Sequence, residues 1–421
     1  MIERILRTIR FFIPKQLYQF FQPFYHYLLA ILGAFFYGFP AQKLFVVGIT
    51  GTKGKSSTAE LISLIFESAG YKTALLSTIH FKIGGKSERN LYKMTMPGRF
   101  FVQKFLHKAV KAGCTHAVIE MTSEGSRQHR HRYTEMNALV VTNLTPEHIE
   151  SHGSFEKYKE AKLSIARELA ISSKHPRIIV SNADDEHGRD FMRIEIEKKL
   201  SFSRQKTAYS ENESGILIHF GNIDLTSPLR GDINVENILA AATLAEAVGI
   251  SENKIKEGIA MASVIEGRLE KVSLGQPFEV VVDYAHTADS MEKVYKIFEG
   301  KRKICIFGAT GGGRDKWKRP VMGQIARKYC DEIILTNDDP YDEDPMQIAE
   351  EVKSGIKNKK VKIIIDRREA IKEGLSVAGQ GDVVLITGKG TDPYIMGANG
   401  AKIPWDDRKV VREELQNLLG K

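Results

Sequence analysis

The segment GITGTKGKSST, residues 48–58, contains the residue types that hold phosphate groups. Gly51 and Gly54 have no side chains, so backbone amides there can come close to phosphate oxygens. Lys55 offers a cation to the β- and γ-phosphates of a nucleotide, and the hydroxyl of Ser56 is a ligand for Mg²⁺. This loop therefore predicts a site for a nucleoside triphosphate with magnesium.

The elements around the loop are those that a phosphate site requires. The apolar run LFVVG precedes the loop, and AELISLIFESAG follows it with helical periodicity, giving strand, loop and helix. Helices are predicted over 55–69, 99–112 and 154–170, alternating with continuous apolar strands. Such strands are typical of a parallel sheet that is buried on both faces.

A second alternation of strands and helices begins near residue 266, after short strand-like pieces between 200 and 230 that predict a peripheral antiparallel addition. The predicted fold class is α/β, with a phosphate-loop central domain built on a mostly parallel sheet and a C-terminal Rossmann-like doubly wound domain. The predicted boundaries are 1–43 for an apolar and basic N-terminal segment, 44–265 for the central domain that carries the phosphate loop and 266–421 for the C-terminal domain.

Composition favours a globular protein with small anionic substrates. The chain has 421 residues and a formal net charge of +9, but its Lys and Arg residues are scattered and accompany no nucleic-acid recognition motif. No nucleic-acid partner is therefore expected. The three cysteines lie far apart in or beside apolar runs, which predicts buried free thiols in a reducing, cytoplasmic compartment.

The first forty residues form a distinct segment. MIERILRTIR is basic and amphipathic, and YHYLLAILGAFFYGFP after it is an aromatic-rich run that is shorter than the roughly 20 residues of a membrane span. We expect a packed or interfacial helical segment, with a cleaved signal peptide and a true span as weaker alternatives. Basic Arg4, Arg7 and Arg10 allow a peripheral membrane contact through residues 1–38, at the inner membrane face.

Four further motifs carry a resemblance to a known family: TNLTPEHIESHGSFEKYKEAK at 142–162, IEGRLEKV, DYAHTADS and GATGGGRDKWKRP. Together with the phosphate loop they resemble the Mur ligases, cytoplasmic ATP-dependent enzymes that build the peptide of bacterial cell-wall precursors. The second signature is most similar to that of the members that add the third amino acid. The resemblance implies an ADP-forming amide ligase that acts through an acyl phosphate, on a muramoyl-peptide precursor and a free amino acid.

The resemblance also implies a ligand set. The catalytic residues would be Lys55, Lys162, His148 and Glu120, with two Mg²⁺ ions held by Ser56, Glu120, His148 and a Lys162 that carries CO₂ as a carbamate. The ATP-binding residues would be Gly51, Thr52, Lys53, Gly54, Lys55, Ser56, Ser57, Asn237, Arg268, Asp283 and His286. Glu120 begins EMTSE where the family often has E-x-S-S-H, so the family histidine is absent here.

The amino acid and its acceptor are implied less directly. By resemblance, the substrate-binding residues would be Thr95, Arg314, Asp338, Asp339, Gly388 and Asp392. Family members that take diaminopimelate have D-N-P-R, whose arginine pairs with the distal carboxylate, whereas this chain has DDPY at 338–341. A site with acidic side chains and no such arginine favours an amine, so lysine, ornithine or a similar diamino acid is predicted.

Alternatives follow from the same residues. A folylpolyglutamate-type or poly-glutamate ligase shares the loop, and a catalytically inactive partner subunit could retain it. The related ligases carry a front domain that binds uridine diphosphate, and this sequence has the apolar segment instead, so the acceptor is either nucleotide-linked or lipid-linked.

RQHRHRY at 127–133 is expected to be a solvated or phosphate-facing loop, because interleaved cations repel a zinc ion.

Overall fold

The computed structural model describes residues 15–147, 149–212, 214–313 and 316–420. The chain divides into two compact units. The first unit comprises the described residues through 147 together with 152–205 and 237–258, and the second comprises the described remainder, including 206–236 and 259–420. The sequence-based domain boundaries remain a prediction.

The first unit is built on an eight-stranded sheet in the order β4-β3-β2-β5-β1-β6-β7-β8. Strands β2, β5, β1, β6, β7 and β8 are parallel, and β3 and β4 form an antiparallel extension at one edge. Their bounds are Phe45–Thr50 (β1), Thr73–Leu76 (β2), His80–Ile83 (β3), Lys86–Arg89 (β4), His116–Glu120 (β5), Ala138–Val141 (β6), Ile178–Asn182 (β7) and Lys198–Phe202 (β8).

Helices flank this sheet, as its buried apolar strands require. The helix after the phosphate loop and the helices over 99–111 and 155–170 are close to the predicted ranges. The bounds are Lys15–Phe36 (α1), Lys55–Ser68 (α2), Arg99–Lys111 (α3), Ser123–Arg127 (α4), Ile149–His152 (α5), Phe155–Ala170 (α6), Gly188–Met192 (α7), Asp232–Ala247 (α8) and Glu252–Met261 (α9), with a 3₁₀ turn over Pro40–Lys43.

The second unit contains the predicted antiparallel addition and a further parallel sheet. The addition is a three-stranded sheet in the order β11-β10-β9, with bounds Tyr209–Asn212 (β9), Gly215–Phe220 (β10) and Ile223–Ser227 (β11). The other sheet has the order β12-β13-β17-β14-β15-β16 and is parallel except for β12.

The bounds in that sheet are Glu270–Lys271 (β12), Glu279–Asp283 (β13), Lys303–Phe307 (β14), Glu332–Leu335 (β15), Lys362–Ile363 (β16) and Val383–Thr387 (β17). A separate two-stranded antiparallel sheet pairs Tyr394–Met396 (β18) with Lys402–Pro404 (β19). The helices are Ala288–Ile297 (α10), Lys318–Tyr329 (α11), Pro345–Lys353 (α12), Arg367–Ser376 (α13) and Asp407–Leu419 (α14). The α/β fold class predicted from the sequence is confirmed.

Alternate residues of the C-terminal sheet fill two separate cores. Val281, Cys305 and Leu385 belong to one cluster, while Val280 and Ile306 belong to the other. Because successive side chains of a strand point to opposite faces, this division means that both faces of the sheet are covered. The central sheet is likewise buried along β1, where Val46, Val47 and Ile49 have no exposed surface.

The prediction that all cysteines are free thiols is wrong for two of them. Cys305 on β14 and Cys330 after α11 form a disulfide, with their Cα atoms 6.0 Å apart, and Cys114 is a buried free thiol. The two residues are 25 positions apart in sequence, and the parallel pairing of β14 with β15 brings them together. Sequence spacing alone could not reveal this contact.

The apolar N-terminal run is helical, as expected, from Lys15 to Phe36, while Arg4, Arg7 and Arg10 lie outside the described residues. Within the described part of the chain, no helix combines the length and the apolar character needed to cross a membrane.

Candidate active site

The phosphate loop connects β1 to α2 at the carboxyl end of the central parallel strand, where α/β sheets bind ligands. Gly51 and Gly54 have φ values of 146° and 82°, which favour glycine. A Cβ atom on Gly51 would lie 1.9 Å from Thr142 Oγ1, and one on Gly54 would lie 2.3 Å from Asn237 Oδ1. The loop therefore has the backbone-lined form of a phosphate cradle.

Lys55 folds back over this loop. Its Nζ donates hydrogen bonds to the carbonyl oxygens of Gly51, at 2.9 Å, and Thr52, at 2.8 Å. Ser56 and Ser57, in the first turn of α2, are 5% and 6% exposed. The predicted loop residues are thus brought together, with a cation and two hydroxyl groups at the start of one helix.

The residues after β6 fix the loop from the neighbouring strand. Thr142 Oγ1 donates to the carbonyl of Lys53 at 2.6 Å, and Asn143 Oδ1 accepts from the Lys53 amide at 2.9 Å. The carbonyl of Asn143 accepts from the Thr52 amide at 2.9 Å. Sequence analysis did not assign these two supporting roles, although both residues begin the second signature.

Asn237 lies against the loop, as its predicted role in nucleotide binding requires. Its Oδ1 accepts a 3.2 Å hydrogen bond from Thr58 Oγ1, and the side chain is 2% exposed. Asn234 donates instead to the carbonyl of Arg230 at 2.8 Å, at the start of α8. Of the two asparagines, Asn237 is the one beside the phosphate loop.

Lys162 is buried beneath the loop, with 2% of its surface exposed. Its Nζ donates a 2.7 Å hydrogen bond to the carbonyl of Gly51. Burial lowers the pKa of Lys162 well below its ordinary value, the positive charge of Lys55 lowers it further, and Glu147 opposes the shift. A neutral amine is the nucleophilic form, so this environment suits the addition of CO₂ to Lys162.

Tyr158 lies one helical turn before Lys162 on α6 and contacts both parts of the site. Its hydroxyl lies 2.9 Å from Thr52 Oγ1, and its ring centroid is 5.0 Å from Lys162 Nζ. Tyr158 is 1% exposed, and burial raises the pKa of its phenol, which stays protonated. Sequence analysis missed this residue, whose only signal was its helical spacing from Lys162.

Glu120 ends β5, in register with Ile49 of β1, and is fully buried. Its Oε1 accepts from the amide of Thr78 at 2.9 Å, and its Oε2 accepts from Thr78 Oγ1 at 3.0 Å. Thr78 Oγ1 is also 2.8 Å from Thr95 Oγ1. The structure therefore joins the predicted acidic ligand and the predicted substrate turn through Thr78, which sequence analysis missed.

These residues fit ATP and magnesium. The glycine cradle leaves no room for a Cβ at two positions, and each oxygen of Glu120 keeps a lone pair after its bond to Thr78. Hydroxyl and carboxylate oxygens are the ligands that Mg²⁺ prefers. His148 lies outside the described residues, and no cluster of three His, Cys, Asp or Glu side chains in the described part could hold a metal by itself.

The second unit holds another group of predicted nucleotide contacts. The guanidinium of Arg268 lies 4.3 Å from the ring centroid of Tyr284. Asp283 accepts from the amides of Leu269 and Ala285, both at 2.7 Å, and His286 Nδ1 lies 2.8 Å from the carbonyl of Tyr284. Burial raises the pKa of Asp283, against the charge of Arg268. Through these two hydrogen bonds Asp283 stabilises the backbone at Leu269 and Ala285.

Three predicted acidic residues surround one buried lysine in this unit. Lys389 Nζ lies 2.8 Å from Asp339, 3.3 Å from Asp392 and 3.4 Å from Asp338, and Lys389 is fully buried. Burial lowers the pKa of Lys389, but the three carboxylates outweigh it and raise the pKa above its ordinary value. Three carboxyl groups thus lie around one lysine in this cluster.

Gly388, another predicted substrate position, lies beside the cluster. Gly388 has φ 116°, and a Cβ there would lie 2.9 Å from Asp338 Oδ2. Arg319, in the glycine-rich run GATGGGRDKWKRP, is 1% exposed and forms ion pairs with Glu343 at 3.0 Å and Glu351 at 2.6 Å. Arg314 lies outside the described residues.

The loop over 127–133, expected to be solvated or to face phosphate, is only partly solvated, with Arg127 exposed and His131 buried. His131 is 2% exposed, and burial lowers its pKa to about 3. Gln103 Nε2 donates to the carbonyl of Tyr133 at 3.2 Å, which ties the loop to α3. Contacts with the rest of the first unit therefore bury His131 although the sequence of the loop is polar.

Comparison with known proteins gives matches along most of the chain. The family model for the Mur ligase middle domain matches residues 49–245, and the model for the Mur ligase, glutamate ligase domain matches residues 267–390.

Two relatives show the extent of the likeness. UDP-N-acetylmuramoyl-L-alanyl-D-glutamate–2,6-diaminopimelate ligase of Syntrophomonas wolfei is 34% identical over 407 residues, covering 93% of this chain and 82% of the relative. UDP-N-acetylmuramyl-tripeptide synthetase of Roseiflexus sp. is 35% identical over 420 residues, with the same two coverages.

Solved structures agree in fold. A UDP-N-acetylmuramoyl-L-alanyl-D-glutamate–2,6-diaminopimelate ligase matches with a TM-score of 0.60 and 31% identity, over 89% of this chain and 79% of that one. Mycobacterium tuberculosis folylpolyglutamate synthase, complexed with ADP, matches with a TM-score of 0.72 and 16% identity, over 87% of this chain and 92% of that one. The second likeness, at that identity, concerns the fold alone.

Proposed function

Because the chain belongs to the Mur ligase family, we propose that it joins an amino acid to the peptide of a muramoyl cell-wall precursor, with cleavage of ATP to ADP and phosphate. The observation that carries this proposal is the contact of Lys162 with the phosphate loop, at 2.7 Å from the carbonyl of Gly51. A lysine with a lowered pKa in that position is suited to become a carbamate beside the γ-phosphate.

The proposed reaction has two steps. A carboxylate oxygen of the acceptor attacks the γ-phosphorus of ATP, the bond from that phosphorus to the bridging oxygen breaks, and ADP leaves. The amine of the amino acid then attacks the acyl phosphate carbon, phosphate leaves with the carbon–oxygen electron pair, and the amine loses a proton. Lys55 and the loop amides stabilise the charge that develops on the transferred phosphoryl group.

Two Mg²⁺ ions, when bound, would neutralise phosphate charge during the transfer. Ser56 and Glu120 supply oxygen ligands, and carbamylated Lys162 and His148 complete the proposed set. In forming the carbamate, the neutral amine nitrogen of Lys162 attacks the carbon of CO₂ and releases a proton. The product is a carboxylate on a long side chain, whereas an ammonium could not ligate a cation.

For the amino acid, we propose lysine, ornithine or a similar diamino acid with one carboxylate. The carboxylates of Asp338, Asp339 and Asp392 surround the single ammonium group of Lys389, and this acidic character favours an incoming ammonium. Tyr341 occupies the place of the arginine that pairs with a second carboxylate in the D-N-P-R motif. The second candidate is 2,6-diaminopimelate, which the relative from Syntrophomonas wolfei is named for.

The proposed binding roles divide between the two predicted domains. Residues 44–265 would bind the phosphates of ATP and the acceptor carboxylate, with Thr95 near that carboxylate. Residues 266–421 would bind the amino acid, with Arg314 meeting its α-carboxylate and Gly388 beside the acidic cluster. Arg268, Asp283 and His286 would contact the nucleotide. The acceptor is carried on a nucleotide or on a lipid.

The test is a phosphate-release screen that compares amino acids. Purified protein is given ATP, Mg²⁺ and a muramoyl dipeptide in nucleotide-linked or lipid-linked form, with lysine, ornithine, diaminopimelate or glutamate. Release that depends on a diamino acid supports the proposal. Release that depends on glutamate with a folate or poly-glutamate acceptor would assign the chain to the folylpolyglutamate type. Release with no acceptor dependence, or none at all, contradicts ligation.

Two variants control this screen. Lys55→Ala removes the cation of the loop and is expected to lower turnover by roughly 10²- to 10³-fold, as loss of a transition-state donor does. Lys357→Ala changes an exposed lysine of the second unit and should leave turnover unchanged.

A further inference from the structure

Helix α1 packs on the first unit through one face only. On that face, Ala30 and Ala34 are buried at 2% and 0% exposure. His26 Nδ1 is hydrogen-bonded to Arg99 at the start of α3, and the hydroxyl of Tyr27 accepts from Tyr133 at 3.0 Å. Between His26 and Ala34 the helix is therefore anchored to α3 and to the loop before β6.

The opposite face of α1 is apolar and exposed. Phe24, Leu28, Ile31 and Phe35 follow the i, i+4, i+7, i+11 spacing of one helical stripe, with 68%, 54%, 36% and 71% of their surfaces exposed. Further exposed residues widen this stripe: Tyr25, Leu32 and Phe36. A contiguous apolar surface of this kind marks an interaction site on a folded protein.

The charged side chains of α1 and α3 are all positive. Between Lys15 and Lys43 the sequence has no charged side chain, and neither α1 nor α3 contains an acidic residue. Phe36 of α1 contacts Phe100 of α3, with ring centroids 6.5 Å apart. Exposed Lys104 and Lys108 continue from Phe100 at four-residue intervals, so a basic row runs beside the apolar stripe.

We propose that this face, defined as the exposed stripe of α1 with the row of exposed lysines Lys104, Lys108 and Lys111 on α3, lies on the surface of an anionic lipid bilayer. Apolar and aromatic side chains enter the headgroup boundary while flanking lysines meet lipid phosphates. A second copy of the chain fits this face poorly. A symmetric contact would bring the lysine rows of two α3 helices together, and neither α1 nor α3 has an acidic residue to neutralise them. The proposal goes beyond amide synthesis and does not depend on it.

Sedimentation of the full chain with vesicles tests the proposal. Vesicles of phosphatidylcholine, with and without phosphatidylglycerol, are mixed with the protein at low and high salt. Two triple variants change the face: F24S/L28S/F35S on the stripe and K104E/K108E/K111E on the row. A matched control, K357E/K360E/K409E, reverses three exposed lysines of the second unit. Thermal unfolding of each variant establishes that it is folded.

The expected result is binding to phosphatidylglycerol vesicles that high salt weakens. Each triple change on the face should lower the partition coefficient at least on the order of tenfold, while the control changes it less than twofold. Three outcomes overturn the proposal: no binding by the unmodified protein, equal binding by all variants, or equal binding to neutral vesicles. A dimer seen by light scattering that F24S/L28S/F35S dissociates, without vesicle binding, would assign the face to a second copy.

Discussion

Lys162 Nζ donates a 2.7 Å hydrogen bond to the carbonyl oxygen of Gly51, which also accepts from Lys55 Nζ at 2.9 Å. Burial lowers the pKa of Lys162 well below its ordinary value, and the positive charge of Lys55 lowers it further. This environment favours the neutral, nucleophilic form of the Lys162 amine beside the phosphate loop.

Stability should depend on pH through Lys162. Its pKa is lowered in the folded state, so between that pKa and the ordinary value of about 10.4 the unfolded chain binds more protons and stability rises with pH. In CO₂-free buffer at pH 7, Lys162→Met should be more stable than the unmodified protein, by about 1.4 kcal/mol for each pH unit of the shift that lies above pH 7. The difference should shrink as pH approaches about 10.

Denaturant unfolding from pH 6 to 10 measures this difference. Lys159→Met, one turn earlier on α6, is the control, because Lys159 is partly exposed and paired with Asp190 at 3.0 Å. A stability difference for Lys162→Met that stayed constant with pH would contradict a lowered pKa.

Tyr158→Phe should weaken ATP binding without unfolding the protein. The change removes the hydroxyl that lies 2.9 Å from Thr52 Oγ1, a bond worth about 1 kcal/mol, and keeps the ring beside Lys162. We expect KM for ATP to rise about three- to tenfold, with a smaller fall in kcat. Tyr329→Phe removes a hydroxyl bond to Glu292 in the second unit and is the control. An unchanged KM for ATP would mean that the hydroxyl of Tyr158 does not contribute to ATP binding and that the residue only packs.

Thr78→Val should raise the magnesium requirement. Valine keeps the backbone bond to Glu120 but loses the 3.0 Å bond from Oγ1 that orients the other carboxylate oxygen. The Mg²⁺ concentration for half-maximal activity should increase about fivefold, the effect of one hydrogen bond. Thr95→Val loses only the 2.8 Å contact with Thr78, so it should raise KM for the acceptor and leave the Mg²⁺ requirement unchanged. Identical behaviour of the two variants would refute this assignment.

Reduction of the disulfide should destabilise the second unit. Cys305 and Cys330 close a loop of 25 residues, for which the lost constraint on the unfolded chain corresponds to about 3 kcal/mol. Unfolding of the protein with and without a thiol reductant gives the difference, and Cys330→Ala should abolish it. Equal midpoints in both buffers would mean that these cysteines are free thiols in solution.

Replacing Asp392 by Asn should reduce discrimination between amino acids. The change removes one of the three carboxylates around Lys389, at 3.3 Å, and lowers the excess negative charge that would attract a side-chain ammonium. We expect KM for lysine to rise about tenfold, with little change in KM for ATP. Thermal unfolding of the variant measures how much stability is lost with the buried Lys389–Asp392 ion pair. A rise in both constants together would indicate general damage to the unit.

Much of the fold was predictable because apolar strands alternate with amphipathic helices. Strands β1, β2, β5, β6 and β7 all lie in predicted apolar runs, since burial on both faces leaves a continuous signal. The antiparallel extension β3–β4 was missed, because its half-exposed strands His80–Ile83 and Lys86–Arg89 carry no such signal. A sheet edge is partly solvated, so its sequence is mixed.

The site was predictable only where a residue type does chemistry by itself. Lys55 and Ser56 are recognisable in a glycine loop, and Lys162 required the surrounding motif. Thr78 and Tyr158 act through hydrogen bonds to residues distant in sequence, at Glu120 and Thr52. Such supporting contacts depend on which strands and helices are neighbours, and a threonine or tyrosine has many other roles.

The central claim is that Lys162 carries CO₂, and ¹³C NMR of the protein equilibrated with ¹³C-labelled bicarbonate and Mg²⁺ tests it most directly. The account predicts one carbamate resonance that Lys162→Arg removes together with activity, and that the control Lys159→Arg retains. Full activity in Lys162→Arg, or an active enzyme with no carbamate resonance, would contradict it.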